Sequence, residues 1–245
     1  MSDKKVILIL QARMGSTRLP GKSMMSLAGV PLVGRILERL KRVRKINDII
    51  LATTEQKADD VLVGLAREYD VRYSRGSQND LVDRFYQAAK SIKADVIVRF
   101  PGDNPVPEPK EIDRIIDYHL SSKNHFSSNI VPMKGNGYPM GIGAEVFGFK
   151  VIEDVFRRNY DANKREHICL NFFDFENQQV VEPKRYRVGT VQCPEAFRRP
   201  ELVLHVDTIK EYKIMNSLYE YLYPRNPEFH IIDVIQWFDN FANKV

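Results

Sequence analysis

Short apolar runs alternate, over the first half of the chain, with stretches in which apolar residues recur every three or four positions. The apolar runs lie at Val6–Gln11, 48–53, 71–74 and 95–100 and have the length of buried β-strands. Strands that alternate with helices form βαβ units, so the pattern predicts an α/β fold with a mostly parallel sheet and helices on both faces. The helical spacing predicts helices over 31–44, 57–68, 81–92 and 108–120.

The pattern changes at about residue 124, where closely spaced glycines and prolines break the chain into short pieces. Short apolar segments at 145–149, 180–181 and 186–191 favour irregular, partly antiparallel strands. We therefore predict a single domain over 1–245 with an inserted α+β subdomain at 124–195.

The α/β pattern returns near the end of the chain. A strand is predicted at 202–206, and Thr208 and Glu211 then have the spacing of a capping box that begins a helix. This arrangement places Asp207 at a junction of strand and helix. A last amphipathic helix is predicted over Ile231–Phe241.

The composition is typical of a globular protein, with 43% hydrophobic and 28% charged residues. The net charge of +5 favours anionic partners, but it is too small and too evenly spread to indicate nucleic acid. The two cysteines, Cys169 and Cys193, lie too far apart in the chain for a zinc motif and indicate no disulfide framework. With neither a signal peptide nor a membrane-spanning run, we expect a cytoplasmic protein with no membrane partner.

The segment LQARMGSTRLPGK, residues 10–22, contains the most informative chemistry. It follows a buried strand and places three cations, Arg13, Arg18 and Lys22, in a glycine-containing loop. Such loops bind phosphates through backbone N–H groups and cationic side chains. The spacing matches neither the P-loop nor the dinucleotide-binding motif. On the residues alone, a solvent-exposed loop with incidental charges remains an alternative.

The loop resembles the x-A-R-x-x-S-x-R-L-P-x-K motif of the cytidylyltransferases that make CMP-Kdo and CMP-N-acylneuraminate. The whole chain is more similar still to their spore coat polysaccharide biosynthesis protein F-like members. Supporting segments follow in the family's order over about 5–225. They are Leu51-Ala52-Thr53-Thr54, Arg75-Gly76-Ser77 with Asp80, Asp83 and Arg84, Arg99-Phe100-Pro101-Gly102-Asp103-Asn104-Pro105, Arg165-Glu166-His167 and His205-Val206-Asp207-Thr208.

The resemblance implies a Rossmann-like, GT-A-like nucleotidyltransferase core, CTP and Mg²⁺ as co-substrates, and release of pyrophosphate. It also implies a homodimer formed through the inserted subdomain. The implied catalytic residues are Arg13, Lys22, Asp103 and Asp207. The implied nucleotide-binding residues are Gln11, Ala12, Arg13, Gly15, Ser16, Arg18, Lys22, Thr53, Thr54, Ser77, Arg84 and Asp103.

Asp103 and Asp207 are the candidate Mg²⁺ ligands. Each is expected to follow a strand at the same edge of the sheet, where two carboxylates could share one ion. For each there is a local structural alternative: a turn cap in the Pro-Gly-Asp-Asn-Pro turn for Asp103, and a helix-terminus role for Asp207.

The acceptor is expected to be a sugar acid or another small acidic or phosphorylated metabolite, used for surface polysaccharide or glycoconjugate synthesis. Its candidate contacts are Tyr138, Glu145, Glu166 and His167, although His167 could equally be a surface helix residue. Three alternatives remain: a sugar-1-phosphate nucleotidyltransferase with another NTP, a glycosyltransferase-like protein, and a non-enzymatic nucleotide-binding protein. A glycosyltransferase would require a D-x-D motif, which Gly-Asp-Asn-Pro does not supply.

The loop cations lead to one further expectation. Replacing Arg13 or Lys22 by Ala should weaken triphosphate binding and turnover. It should leave the fold intact, because an exposed loop charge contributes little to stability.

Overall fold

A seven-stranded sheet forms the centre of the molecule in the computed structural model, which describes residues 4–130 and 133–241. Its strands are β1 (Val6–Gln11), β4 (Asp48–Thr54), β5 (Arg72–Gly76), β6 (Val96–Pro101), β7 (Phe126–Ser128), β8 (Glu145–Gly148) and β11 (Val188–Gly189). The sheet order is β11-β7-β8-β6-β1-β4-β5. The central strand β1 pairs in parallel with β4 on one side and with β6 on the other, and β4 pairs in parallel with β5.

Helices cover both faces of this sheet, as the sequence pattern predicts. Along β1, Leu8 and Leu10 pack into one hydrophobic cluster, whereas Ile7 and Ile9 pack into the other. A strand that is buried on both faces needs apolar residues at every position, which explains the unbroken apolar run. The helices are α1 (Leu32–Leu40), α2 (Asp60–Glu68), α3 (Leu81–Ser91), α4 (Pro109–Ser121), α5 (Phe149–Arg158), α6 (Ala162–Glu166), α7 (Ile209–Leu222) and α8 (Ile231–Phe241).

The remaining elements are short. Two-residue strands form two hairpin-like pairs, β2 (Ser26–Leu27) with β3 (Val30–Pro31), and β9 (Phe173–Asp174) with β10 (Gln179–Val180). Single turns of 3₁₀ helix occur at Lys22–Met24, Lys57–Asp59, Ile168–Asn171 and Glu195–Phe197. Among the described residues, no helix is both long and apolar enough to cross a membrane.

The segment 124–195 is built into the main sheet rather than set beside it. It contributes β7, β8 and β11, and β8 runs antiparallel between β6 and β7. Among the described residues of this segment, the elements outside the sheet are the β9–β10 pair, the helices α5 and α6 and the 3₁₀ helix Ile168–Asn171. The prediction of antiparallel strands here is confirmed, but α5 replaces what was expected to be irregular chain. The predicted roles of the segment in acceptor binding and dimerisation stay predictions.

The strand predicted at 202–206 is wrong. This segment is extended, but it forms only one isolated bridge, between Met140 and Val203, and does not join the central sheet. Its backbone is instead bonded to the loop after β6, because the Val206 amide donates to the Asp103 carbonyl at 2.8 Å. The first helix is also shorter than predicted and ends at Leu40.

Candidate active site

A cleft of about 400 Å³ opens at the carboxyl ends of β1 and β6. The ends of these strands, Gln11 and Pro101, both line it. The Gly102 amide donates to the Gln11 carbonyl at 2.7 Å, and a Cβ atom at position 102 would lie 2.4 Å from that same oxygen. Glycine is therefore required at position 102 to keep the two strand ends, and the loop after β6, in contact.

The loop that follows β1 forms one wall of the cleft and is folded back at Met14. The Met14 carbonyl accepts hydrogen bonds from the amides of Ser16 at 2.9 Å and Gly21 at 3.0 Å. Gly21 has a φ of 77°, a left-handed conformation that favours glycine. The loop then turns into the 3₁₀ helix that begins at Lys22. Among the predicted residues of this loop, Ala12, Arg13, Ser16, Arg18 and Lys22 line the cleft.

Lys22 joins the two predicted metal ligands. Its ammonium group lies 3.1 Å from Asp103 Oδ2 and 2.8 Å from Asp207 Oδ1, and it donates to the Val206 carbonyl at 2.8 Å. The Lys22 side chain is only 10% exposed. The two carboxylate oxygens cannot be farther apart than the sum of their distances to Nζ, which is well below the ~8 Å at which one ion could no longer bind both.

Asp207 lies where the extended segment enters α7. The capping box is present: Thr208 accepts from the Glu211 amide, and Glu211 Oε2 accepts from the Asp207 and Thr208 amides. Thr208 is the capping residue, so the Asp207 carboxylate does not cap the helix and faces the cleft. The geometry therefore does not favour the alternative in which Asp207 serves only the terminus of the helix.

Cations surround the Asp207 carboxylate. Arg18 lies 2.8 Å from Oδ2, and His205 Nε2 lies 3.5 Å from the same oxygen. Burial opposes the charged form, but the hydrogen bond and charge of Lys22, with the charges of Arg18 and His205, together lower the pKa of Asp207. Asp207 is thus held as a carboxylate at neutral pH.

A divalent cation fits this site only in part. Carboxylate oxygens are suitable donors for Mg²⁺, and Asp103 and Asp207 supply two of them. Among residues 4–130 and 133–241, no group of three His, Cys, Asp or Glu side chains is arranged to hold a metal. A magnesium ion here would therefore need oxygen atoms from phosphate or water to complete its coordination.

A buried ion pair lies at the floor of the cleft. Arg99 Nη1 is 2.7 Å from Glu145 Oε2, and Arg99 Nε donates to Gln11 Oε1 at 2.9 Å. Arg99 and Glu145 come from the paired strands β6 and β8, where they occupy the same register. Burial opposes the charge on Arg99, but the contributions of Glu145, Cys169 and Asp103 together raise the pKa of Arg99. Glu145 is therefore at the cleft, as predicted, but it is already neutralised by Arg99.

Arg84, from α3, faces the same cleft and is 4% exposed. Its Nε and Nη1 atoms are buried and have no hydrogen-bond partner in the described part of the chain. Burial and, to a smaller extent, the charge of Arg13 lower the pKa of Arg84 to about 10, although the charge of Asp59 opposes this shift. The guanidinium therefore stays charged at neutral pH while two of its donors are unused, which is costly unless an anion binds there.

The predicted acceptor residues Glu166 and His167 lie at the mouth of the cleft, at the end of α6. Arg13 Nη2 is 3.3 Å from Glu166 Oε1, so the cationic loop is in contact with the end of α6. Arg165 anchors α6 by pairing with Asp80 at 2.6 Å. The structure therefore brings both ends of the predicted site into one cleft.

Five predicted residues do not line the cleft: Gly15, Thr53, Thr54, Ser77 and Tyr138. Tyr138 is fully buried, where its hydroxyl contacts Glu111 and accepts from Arg114 Nη1 at 2.8 Å, so the predicted acceptor contact is wrong. Thr53 and Thr54 are buried at the end of β4, and the Ser77 hydroxyl accepts from the amides of Asn79 and Asp80. The predicted nucleotide contacts of Gly15, Thr53, Thr54 and Ser77 stay predictions.

Several residues of the cleft were not predicted as contacts. Arg99 could have been found, because a charged residue within an apolar central strand is rarely buried without a partner. The others carry no local signal that distinguishes them from ordinary loop or core residues. The cleft residues not predicted include Gln78, Leu81, Arg99, Asn104, Cys169 and His205.

The fold and the cleft define a Rossmann-like nucleotidyltransferase. A family model described as cytidylyltransferase matches residues 7–221, and the chain belongs to the cytidylyltransferase family. An uncharacterized protein of Methanocaldococcus jannaschii is 37% identical over 87% of this chain and 83% of its own length. The spore coat polysaccharide biosynthesis protein SpsF of Bacillus subtilis is 30% identical over 88% of this chain and 86% of its own.

A solved structure supports the same assignment. The structure of a cytidylyltransferase from Leptospira borgpetersenii matches with a TM-score of 0.86 and 28% identity, over 98% of this chain and 96% of that one. The resemblance inferred from the loop motif is thereby confirmed.

Proposed function

We propose that this protein transfers CMP from CTP to a small acidic or phosphorylated acceptor, such as a sugar acid, and releases pyrophosphate. The observation that supports it is the pairing of a cationic loop with two carboxylates on one cleft. Lys22 contacts both Asp103 and Asp207, and Arg18 contacts Asp207. Triphosphate chemistry requires cations for the phosphates beside carboxylates that can hold a metal ion.

We place the nucleotide at the end of the cleft that is formed by the cationic loop after β1. Arg18, whose side chain is 69% exposed, and Lys22 are now paired with carboxylates. A triphosphate offers these cations a competing anion of higher charge, so we expect both to contact phosphate when CTP is bound. Arg13 adds a third cation at the cleft wall. Together they bind and orient the triphosphate.

Asp103 and Asp207 would hold the Mg²⁺ ion proposed as the cofactor. When bound, the ion offsets negative charge on the phosphates as the reaction proceeds. The Lys22 ammonium contacts both carboxylates and so keeps this donor pair close together.

The acceptor end lies toward α3 and β8. Arg84 is predicted from the sequence as a nucleotide contact, but its two unused buried donors equally suit a carboxylate or phosphate, and we propose that they bind the acceptor. Glu166 and His167 at the mouth can accept or donate hydrogen bonds to hydroxyl groups. An anionic acceptor with several hydroxyl groups, as in a sugar acid, matches this combination.

The reaction consists of one displacement. An acceptor oxygen attacks the α-phosphorus of CTP, a new oxygen–phosphorus bond forms, and the bond to the β-phosphate oxygen breaks as pyrophosphate leaves. A phosphate acceptor has no proton to lose. When the acceptor oxygen is a hydroxyl group, its proton passes to water as the new bond to phosphorus forms, and we assign no residue of the chain as a base. The residues of the cleft act by positioning and by charge.

The biological role and assembly are part of the same proposal. The similarity to the Bacillus subtilis protein SpsF supports a role in surface polysaccharide or glycoconjugate synthesis. We also propose a homodimer formed through 124–195. Sedimentation equilibrium checks this, and a protein that stays monomeric at micromolar concentration contradicts the dimer.

An acceptor screen tests the proposed function. The protein is incubated with CTP, Mg²⁺ and a panel of sugar acids, sugar phosphates and neutral sugars, and products are identified by mass spectrometry. We expect a CMP adduct and an equal amount of pyrophosphate with an anionic acceptor only. Adducts only with sugar 1-phosphates and a different NTP would instead identify a sugar-1-phosphate nucleotidyltransferase.

A further inference from the structure

Asp59 is a buried carboxylate behind the cationic loop. It ends the 3₁₀ helix Lys57–Asp59 and is 1% exposed. Its position is the N-cap of α2, where an aspartate usually accepts a hydrogen bond from an amide of its own helix. The Asp59 side chain makes no such bond. Its carboxylate is therefore used for something other than the helix that it precedes.

Both oxygens of this carboxylate bind other segments. Oδ1 accepts from the Met14 amide at 2.7 Å. Oδ2 accepts from the Thr54 amide at 3.2 Å and also contacts the Thr54 hydroxyl. Asp59 thus connects the loop after β1 to the end of β4, and hydrogen bonds to a buried charged group are among the stronger ones.

Met14 is the residue at which the cationic loop is fixed. Its carbonyl accepts from the amides of Ser16 and Gly21, so the loop closes on Met14. Arg13 precedes it, and Lys22 follows directly after Gly21. A shift of Met14 would therefore move cations at both ends of the loop.

We infer that Asp59 is a positioning residue for nucleotide binding, and that it holds Met14 so that the loop cations meet a triphosphate. This inference rests on the proposed function. Neither Asp59 nor Met14 lines the cleft, so Asp59 would act on the nucleotide end through the loop that it holds. Loss of the Asp59 charge should therefore affect CTP more than the acceptor.

The test compares two neighbouring carboxylates. Asp59→Asn keeps the shape but leaves one acceptor oxygen for three donors, whereas Asp60→Asn changes an exposed residue paired with Arg75. We expect Asp59→Asn to raise the CTP dissociation constant and KM about tenfold, with acceptor KM changed less than about twofold. In Asp60→Asn both constants should stay within about twofold of wild type.

Hydrogen–deuterium exchange provides a readout that does not depend on CTP. Peptides covering 13–22 should exchange faster in Asp59→Asn than in Asp60→Asn, with helix α8 unchanged. A lower melting temperature with unaltered CTP affinity would overturn the inference, as would equal rises in the CTP and acceptor constants.

Two further outcomes are possible: the wild-type protein does not bind CTP, or the Asp59→Asn variant does not fold. If wild type does not bind CTP, the proposed function fails, and faster exchange at 13–22 still supports the positioning role of Asp59. If Asp59→Asn does not fold, hydrogen exchange at the Met14 amide of the wild-type protein is measured instead. Strong protection of this amide supports the inference, and exchange at the rate of an unstructured amide overturns it.

Discussion

Lys22 donates a 2.8 Å hydrogen bond to Asp207, and the same ammonium group lies 3.1 Å from Asp103. A nearly buried lysine therefore joins carboxylates from two segments that are far apart in the sequence. Neither carboxylate is left without a counter-charge inside the protein. The relationship gives Lys22 a structural role in addition to its proposed contact with phosphate.

The carboxylate pair leads to the first prediction. Asp103→Asn and Asp207→Asn keep the shape of each side chain but remove the charge that would hold Mg²⁺. Each should lower kcat by about a hundredfold or more, because charge stabilisation at the reacting phosphate is lost. Steady-state kinetics with CTP and the identified acceptor measures this.

Nucleotide binding is the control for these variants. CTP affinity should stay within about tenfold of wild type, because the loop cations remain. Unchanged kcat in both variants would exclude the carboxylates from the reaction and leave Asp207 as a residue at a helix terminus.

The second prediction separates Lys22 from Arg18. The sequence led us to expect that loop cations can be removed without cost to the fold, but Lys22 is buried against two carboxylates. Lys22→Met should destabilise the protein by about 1 to 2 kcal/mol, because Asp103 and Asp207, partly exposed at 33% and 14%, lose the nearly buried ammonium group that they share. Arg18→Met, with a side chain 69% exposed, should change stability by less than about 1 kcal/mol.

Chemical denaturation of both variants checks this difference. An equal free energy of unfolding for the two variants would show that the Lys22 contacts do not stabilise the protein. Both variants should lose triphosphate affinity, so the comparison distinguishes stability from binding.

The parts of the fold that the sequence predicts well are those with a strong hydrophobic period. β1 and α8 have the predicted bounds. β1 is buried on both faces and is therefore an unbroken apolar run, whereas α8 packs one apolar stripe and therefore has a clear helical period. Helix α5 was missed, although Ile152, Val155 and Phe156 have helical spacing and could have indicated it. The surrounding glycines and prolines masked this signal.

Pairing between distant segments could not be predicted from local pattern. The run at 202–206 has the composition of a strand, yet its amides bond to loops rather than to a sheet edge. Tyr138 lies in a glycine- and proline-rich segment, and its contacts with Glu111 and Arg114 come from a helix far away in sequence. The motif located the cationic loop, but which residues meet it depends on the tertiary fold.

The third prediction concerns the acceptor end. Arg84→Gln removes a charged guanidinium group whose Nε and Nη1 donors have no partner in the protein. The substitution should therefore raise the acceptor KM by about tenfold or more. His167→Ala should raise it less, because His167 lies at the mouth of the cleft. Neither should change CTP affinity more than about twofold, as measured by calorimetry. A larger effect on CTP than on the acceptor would assign Arg84 to the nucleotide instead.

The fourth prediction concerns stability in acid. Burial lowers the pKa of His119 from 6.5 to about 4, with smaller contributions from the charges of Lys4 and His125. The unfolded chain therefore takes up this proton below pH 6.5, whereas the folded imidazole resists it until about pH 4. Stability should fall across this window by up to about 3 kcal/mol from this group. His119→Gln should have a flatter stability profile between pH 6.5 and 4, and an identical slope would contradict the assignment.

Titration calorimetry of the purified protein with each of four NTPs, in the presence of Mg²⁺, tests most directly whether the cleft is a site for cytidine triphosphate. We expect CTP to bind at least about tenfold more tightly than ATP, GTP or UTP. We also expect Arg13→Ala to weaken CTP binding, because the loop cations contact the triphosphate. Equal heats for all four nucleotides, or no heat with CTP, would contradict the claim.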